Sequence, residues 1–244
     1  MGTCVSGPGY GKRAAASLAS GRVAPPPLSP LTRRHCVRAF LDRPVEPDVL
    51  REVLTAAAHA PSTRNTQPWR VAVVTGRARD ELSRRLCAAH DAGVPVSPDY
   101  PNRIAEPDDL LRRRAAEFGR GVYDAGNVDR ADAEARRLHI RANHEFFGAP
   151  VEMIFHLPGG AVPGTFLEMG LFLQNVMTGL TAVGLGSCPQ YSVAGYADLI
   201  RDQLGLRDAV IVCGLAVGHP DPDAPVNAFR PGRAPLREYV DWHR

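Results

Sequence analysis

The stretch Ala60-Pro61-Ser62-Thr63-Arg64-Asn65-Thr66-Gln67-Pro68-Trp69 sets five uncharged hydrogen-bonding side chains between two prolines. Pro61 has no backbone N–H and biases Ala60 away from the helical region, while Pro68 fixes φ just before the apolar run at 71–74. The polar residues therefore occupy a stiffened connector from a helix to a strand. Their hydroxyls and amides offer donors and acceptors together, which suits the N–H, C=O and N: edge of a neutral heterocycle better than it suits a phosphate. An ordinary turn draws on the same residue types, so composition alone leaves both readings open.

The flanks support such a connector. Val49, Leu50, Val53, Leu54, Ala57 and Ala58 fall at helical spacing behind Pro47 and Asp48, which suit a first turn, so a helix over 47–60 delivers the loop. Beyond it, residues 71–75 read as a buried strand and 78–90 as an amphipathic helix with Leu82 and Leu86 inward. Residues 151–157 and the continuous apolar run 209–217 read as further strands, the latter central, and 196–204 as a helix stopped by Gly205. Residues 166–183 are apolar nearly all round, which predicts a helix buried on several sides and placed at the hub of the fold. Residues 1–30 lack apolar periodicity and read as a mobile or extended arm.

Composition excludes several classes of protein. With 44% apolar residues in 244, the chain can bury a core of ordinary size. No window approaches the roughly 18 consecutive apolar residues of a membrane span, and 14–19 is too weakly apolar for a secretory signal, so a cytoplasmic protein is expected. Met1-Gly2-Thr3-Cys4-Val5-Ser6 fits an acylation pattern, but a bacterial-looking composition argues against the acylating enzyme. The five cysteines are scattered and never in C-x-x-C spacing, and the eight histidines form no H-E-x-x-H cluster; reduced thiols and no metal are expected. Lys12 is the only lysine among 29 basic residues, which points to a GC-rich, bacterial genome. The arginine clusters 112–114 and 136–137 have no interleaved aromatics, so no nucleic-acid partner is expected.

Seven residues of the opening stretch fit the pattern A-P-S-x-x-N-x-Q-P-W, and in this the chain resembles the FMN-dependent nitroreductase family, flavoproteins that use NAD(P)H. Other segments similar to the family's follow in order from about Arg33 to Trp242. The resemblance implies an α+β fold with a central mixed or antiparallel sheet flanked by helices. It implies a homodimer with an exchanged C-terminal arm at 218–244, a flavin-binding domain at 31–244 and a helical lid inserted at 91–147. FMN is the implied cofactor and NADH or NADPH the implied electron donor.

Arg33-Arg34-His35-Cys36-Val37-Arg38-Ala39-Phe40 concentrates bidentate donors where an anion fits. It is similar to the family segment that holds the FMN phosphate and ribityl chain, which casts Arg34, His35, Cys36 and Arg38 as ligands. Cys36 stands where the family usually has serine, and a thiol donates poorly, so only its backbone N–H is a dependable donor. By the same resemblance Pro61, Ser62, Thr63, Asn65 and Gln67 contact the cofactor, and Asn143 bonds the flavin pyrimidine. Pro189, Gln190 and Tyr191, in a glycine-rich loop over 184–192, lie along the flavin ring with a backbone N–H toward N5. Arg230 and Arg233 resemble the basic tail residues that close on the phosphate. Phe118, Tyr123, Phe146 and Phe147 are candidate lid or substrate-wall residues, with core packing the alternative for each.

The implied activity is reduction of small nitroaromatic or quinone substrates. No G-x-G-x-x-G opens a helix after a strand, so donor and acceptor would use one flavin face in turn, a ping-pong scheme without a side-chain base. A flavin dehydrogenase or dehalogenase acting on a biosynthetic intermediate, or a flavin-binding protein without turnover, are the alternatives. The helix at 166–183 needs more cover than one sheet offers and the proline-rich tail needs a surface, which together predict an obligate homodimer.

Overall fold

The computed structural model describes residues 28–244, so the arm expected over 1–30 lies outside it except at its end, where a short helix α1 (Ser29–Arg33) stands instead. One sheet runs in the order β1-β2-β4-β3, with every pair antiparallel. Its strands are β1 (Arg70–Thr75), β2 (Val151–Pro158), β3 (Gly186–Gln190) and β4 (Ala209–Gly218). The unbroken apolar run β4 and the almost wholly buried β2 take the centre, because only a strand covered on both faces can bury consecutive side chains.

Both edges differ from expectation. The strand expected to be buried at 71–75 is β1 on one edge, with Arg70, Val73 and Thr75 exposed. The glycine loop expected at 184–192 is largely β3 on the other edge, followed by the short helix α7 (Tyr191–Ala194). Pro189 has no N–H to offer a second neighbour, which an edge strand tolerates.

Helices cover both faces. Against one lie α2 (Pro47–Ala57) and α6 (Pro163–Ala182), which enclose Met153, Phe155, Leu215 and Val217. Against the other lie α3 (Gly76–Asp91) and α8 (Ala197–Leu204) with α7, packed on Val74, Ile154, Cys188 and Ala216. The expected hub is α6: Met169, Phe172, Val176 and Leu180 are buried along it. Trp69, at the end of the polar connector, stacks on Phe172 with ring centroids 4.9 Å apart and planes 3° from parallel. This contact anchors the connector to the hub. Leu167 and Leu171 on the same helix stay exposed, Leu167 at 68%, so one stripe of α6 has no cover among the described residues.

The segment expected as a lid contains α4 (Asp109–Ala125) and α5 (Ala133–Arg141), N-capped by Asp108 and Asp132. Their apolar stripes are mostly not core: Leu111, Phe118 and Leu138 are exposed while Val122 is buried.

After β4 the tail first lies on its own chain. Leu41 N donates to His219 O at 2.9 Å and Asp221 N to Ala39 O at 3.1 Å. The buried Asn227 amide accepts from Arg38 N (2.8 Å) and Ala39 N (3.2 Å) and donates to Ala39 O (2.7 Å) and Asp221 O (2.9 Å). The tail expected as an arm over 218–244 thus lies on its own chain at Asn227, at Phe229 against Phe118 and at Glu238, which pairs with Arg114 at 2.5 Å, with Tyr239 and Trp242 exposed beyond.

Candidate functional site

The end of α1 and the tail converge. Arg33, Arg34 and His35 meet Arg230, Pro231 and Arg233, with Gln174 of α6, around a cavity of about 960 Å³. Among the described residues no carboxylate pairs with any of these four arginines. Main-chain carbonyls place two of them instead: Arg230 Nη1 donates to Asn227 O at 2.6 Å, and Arg233 Nη1 to Pro231 O at 2.9 Å. Guanidinium groups positioned but not neutralised form an anion site, and the planar fork matches a phosphate. Asn227 belongs to this site's framework and sequence reading missed it, since one asparagine in a proline-rich tail carries no local signal.

Arg38 points elsewhere. Its guanidinium carbon lies 5.5 Å from the centroid of Phe118, whose ring packs against Phe229 at 6.0 Å. Tyr123 meets His139 of α5 edge-on at 5.0 Å. Burial, with Arg38 nearby, lowers the pKa of His139 and so keeps a second positive charge from that group. Phe118 and Tyr123 thus remain at the surface of the lid helices.

Phe146 is corrected from a substrate-wall residue to its core-packing alternative. Phe146 is fully buried against Val74 and Ile154, and Phe147 packs on the same cluster, so Phe146 cannot wall a substrate cavity. The tight turn at Phe146–Gly148 aims them inward, with φ of 56° and 53°. Burying a large ring is worth roughly 1.5–3 kcal/mol, which offsets a good part of the roughly 1–3 kcal/mol that each left-handed residue of the turn costs.

The polar connector is a strained 3-10 turn, Thr63–Asn65, in which Arg64, Asn65 and Gln67 have φ of 52°, 57° and 48°. Three left-handed non-glycine residues in four persist only where the surroundings hold them. Glu168 of α6 does so: its Oε1 accepts Thr63 N at 2.7 Å, while its other oxygen is buried without a partner. Ser62 Oγ accepts Gln67 N at 3.0 Å, and Gln67 Nε2 donates to Asn65 O at 3.2 Å. Pro61, Thr63, Asn65 and Gln67 are exposed. No residue of this loop lines the basic cavity, so a single chain keeps the two halves of the expected cofactor site apart.

Asn143 and Gln190 come together: Gln190 Nε2 donates to Asn143 O at 2.6 Å. The Gln190 side chain is buried with its Oε1 unpartnered, and it clamps the Asn143 carbonyl. Tyr191 lines a cavity of about 480 Å³ with Tyr100, Phe166, Gly170 and Leu173; Pro189 is not among its lining residues. Another cavity of about 590 Å³, between α2 and β1, contains none of the expected site residues.

Cys36 lies opposite Ser187 of β3 in an isolated parallel bridge, so the sheet is antiparallel with one parallel contact at its edge. The neighbouring Cys188 thiol, with Arg38 and Arg34, holds the Cys36 thiol well below the usual range against the opposing effect of burial.

The profile of the nitroreductase family matches residues 31–219. The chain belongs to the nitroreductase family. It is 36% identical over 211 residues to nitroreductase NfnB of Mycolicibacterium smegmatis, spanning 86% of this chain and 90% of that protein. To 4-nitrobenzoate reductase of Pseudomonas putida it is 38% identical over 201 residues, 81% of this chain and 86% of that protein. The crystal structure of the FMN-dependent nitroreductase NfnB from Mycobacterium smegmatis in complex with NADPH is similar with a TM-score of 0.85 and 35% identity, covering 88% of this chain and 96% of that one. This nitroreductase-family chain is an oxidoreductase with the expected fold. Among its described residues no helix is long and apolar enough to cross a membrane, and no three His, Cys, Asp or Glu side chains are grouped to hold a metal ion.

Proposed function

We propose that the protein is an FMN-dependent NAD(P)H nitroreductase, a homodimer acting on small nitroaromatic or quinone compounds in a ping-pong cycle in the cytoplasm. The observation that carries this reading is the basic cavity, where Arg33, Arg34, Arg230 and Arg233 converge without a carboxylate. FMN, when bound, supplies the two-electron carrier between nicotinamide and acceptor. Arg34 and Arg233 hold its phosphate through charge-assisted bonds, assisted by His35, Arg230 and the Cys36 backbone N–H. The residues present fit the group, since the buried free oxygens of Glu168 and Gln190 are further polar atoms in want of partners.

The loop of Pro61, Ser62, Thr63, Asn65 and Gln67 offers neutral donors and acceptors to a heterocycle, as do Asn143 and the backbone at Pro189, Gln190 and Tyr191. A two-fold partner brings the loop of one subunit to the basic cavity of the other and covers Leu167 and Leu171. Residues 31–244 form the flavin-binding unit, with 91–147 as its lid and Phe118 and Tyr123 as its aromatic wall. Arg38, held over Phe118, ties the lid to the phosphate segment.

The test is spectroscopic. Protein reconstituted with FMN should carry flavin bands, bleach anaerobically with NADPH or NADH, and regain colour on addition of 4-nitrobenzoate. Absence of flavin bands removes the reading; bands that neither nicotinamide bleaches leave a carrier in its place.

A further inference from the structure

The loop that precedes α4 is pinned to the rest of the fold and forms one wall of a cavity. Ser97 N donates to Gly195 O at 2.8 Å, Asp99 Oδ2 accepts Ile211 N at 2.7 Å, and the Tyr100 hydroxyl donates to Val212 O at 2.7 Å. The Tyr100 ring then tilts against Phe166 of α6, with centroids 4.7 Å apart. These contacts fix one side of the cavity of about 480 Å³, a size within the roughly 300–1,000 Å³ of small-molecule sites. The half-exposed Tyr191 lines the same cavity.

Two features of this cavity serve no purpose in packing the described residues. Gly170 lies in the interior of α6, where glycine is among the poorest helix formers, yet a Cβ there would meet nothing within 4 Å. Four residues from Phe166, it shares that residue's helical face, and its missing side chain leaves room beside the ring. The exposed Arg103, three residues beyond the anchored Tyr100, also lines the cavity, and no acidic residue does. Among the described residues no carboxylate pairs with Arg103. The cavity thus offers aromatic rings on its walls and one uncompensated guanidinium, the complement of a planar aromatic body with an anionic substituent.

We propose that Arg103 selects nitroarenes that bear a carboxylate, with the ring held among Tyr100, Phe166 and Tyr191 and the carboxylate paired with the guanidinium. The inference rests on the proposed function, in which Tyr191 also supplies backbone to the flavin. The basic cavity is reached about one turn further along the same helix, since Gln174, which lines it, stands four residues from Gly170. Cofactor and substrate therefore have separate anion partners on neighbouring sites: Arg34 and Arg233 for the phosphate, Arg103 for the carboxylate. A planar guanidinium gives a carboxylate two parallel hydrogen bonds, whereas a neutral nitroarene of similar size gains only the ring contacts.

The experiment titrates FMN-loaded protein calorimetrically with benzoate and with benzamide, its neutral isostere, and measures kcat/KM for 4-nitrobenzoate against nitrobenzene. The unmodified protein should bind benzoate more tightly than benzamide. Arg103→Ala should cut that preference about tenfold, the lower end for a charge-assisted pair because the arginine is exposed. The ratio of kcat/KM for the two nitro compounds should fall by a similar factor, and Arg103→Lys, with the charge but not the planar fork, should lie between. Arg233→Ala reports benzoate captured by the basic cavity instead. The inference is overturned if benzoate and benzamide bind the unmodified protein equally, if Arg103→Ala weakens both alike, or if the preference is lost in Arg233→Ala rather than in Arg103→Ala. Those outcomes leave the flavin bands and their bleaching by nicotinamide untouched, whereas protein without flavin bands counts against the proposed function and is titrated in the same way.

Discussion

Glu168 Oε1 accepts the backbone N–H of Thr63 at 2.7 Å, a bond across 105 residues that fixes a strained surface turn to the buried hub helix. It explains how Arg64, Asn65 and Gln67 keep left-handed backbone without glycine. Trp69 stacked on Phe172 holds the other end of the loop to the same helix.

Glu168→Ala should therefore free the turn, at a cost of roughly 0.5–1.5 kcal/mol in global stability. The larger effect is local: hydrogen exchange at residues 63–67 accelerates and FMN affinity falls, whereas Glu168→Gln, which keeps an acceptor, retains most of both. Equal loss of affinity in the two variants would count against Glu168 as the residue that positions this loop.

Arg34→Ala and Arg233→Ala should each weaken FMN binding by roughly 1.5–3 kcal/mol, the range for hydrogen bonds to charged groups. Riboflavin, which lacks the phosphate, separates the causes in a titration. If both ligands lose affinity equally, these arginines do not hold the phosphate.

Asn227→Ala removes four hydrogen bonds that join the tail to Arg38 and Ala39, and stability should fall by roughly 1–3 kcal/mol. Asn227→Asp should be no better, because a carboxylate has no donor for the carbonyls of Ala39 and Asp221. Denaturant titrations of both variants check this.

Acid stability carries two opposing signatures. Burial, with His90 and Arg141 nearby, lowers His144 from 6.5 to about 4, so between those values the unfolded chain binds a proton that the native state refuses. That contribution is intact above pH about 6.5 and lost as pH falls, at about 1.4 kcal/mol per unit. Burial raises Glu152 well above 4.5, so its contribution is fully present below that pH and lost as pH rises. In urea titrations across pH, Glu152→Gln should gain on the unmodified protein progressively above pH 4.5, and His144→Gln should flatten the acid limb. A constant offset at every pH would refute either assignment.

Deleting residues 239–244, which include the exposed Tyr239 and Trp242, should leave the fold intact and weaken the proposed dimer. Deleting everything beyond Gly218 removes the Asn227 clamp as well and should lower the melting temperature. Light scattering at low concentration distinguishes them; an unchanged dimer in the short deletion shows that the end of the tail has no part in the interface.

Sequence by itself determined the elements whose own periodicity declares them: α2, α3, α6 and α8, and the apolar runs that became β2 and β4. It also determined the stiff polar loop, because proline acts on its own backbone and on its neighbour's, and the resemblance at 60–69 named the family. Only the tertiary structure decided that residues 186–190 are a strand, since a glycine- and proline-bearing stretch has no alternation and takes its hydrogen bonds from β4. It likewise separated Phe146, fully buried, from Phe118, exposed, although the resemblance cast both as lid or substrate-wall residues. The pairs Thr63 with Glu168 and Arg38 with Asn227 were settled only there. Periodicity tells which face of an element is apolar, not what that face will meet, and a hydrogen bond between residues a hundred positions apart leaves no mark on the sequence near either one.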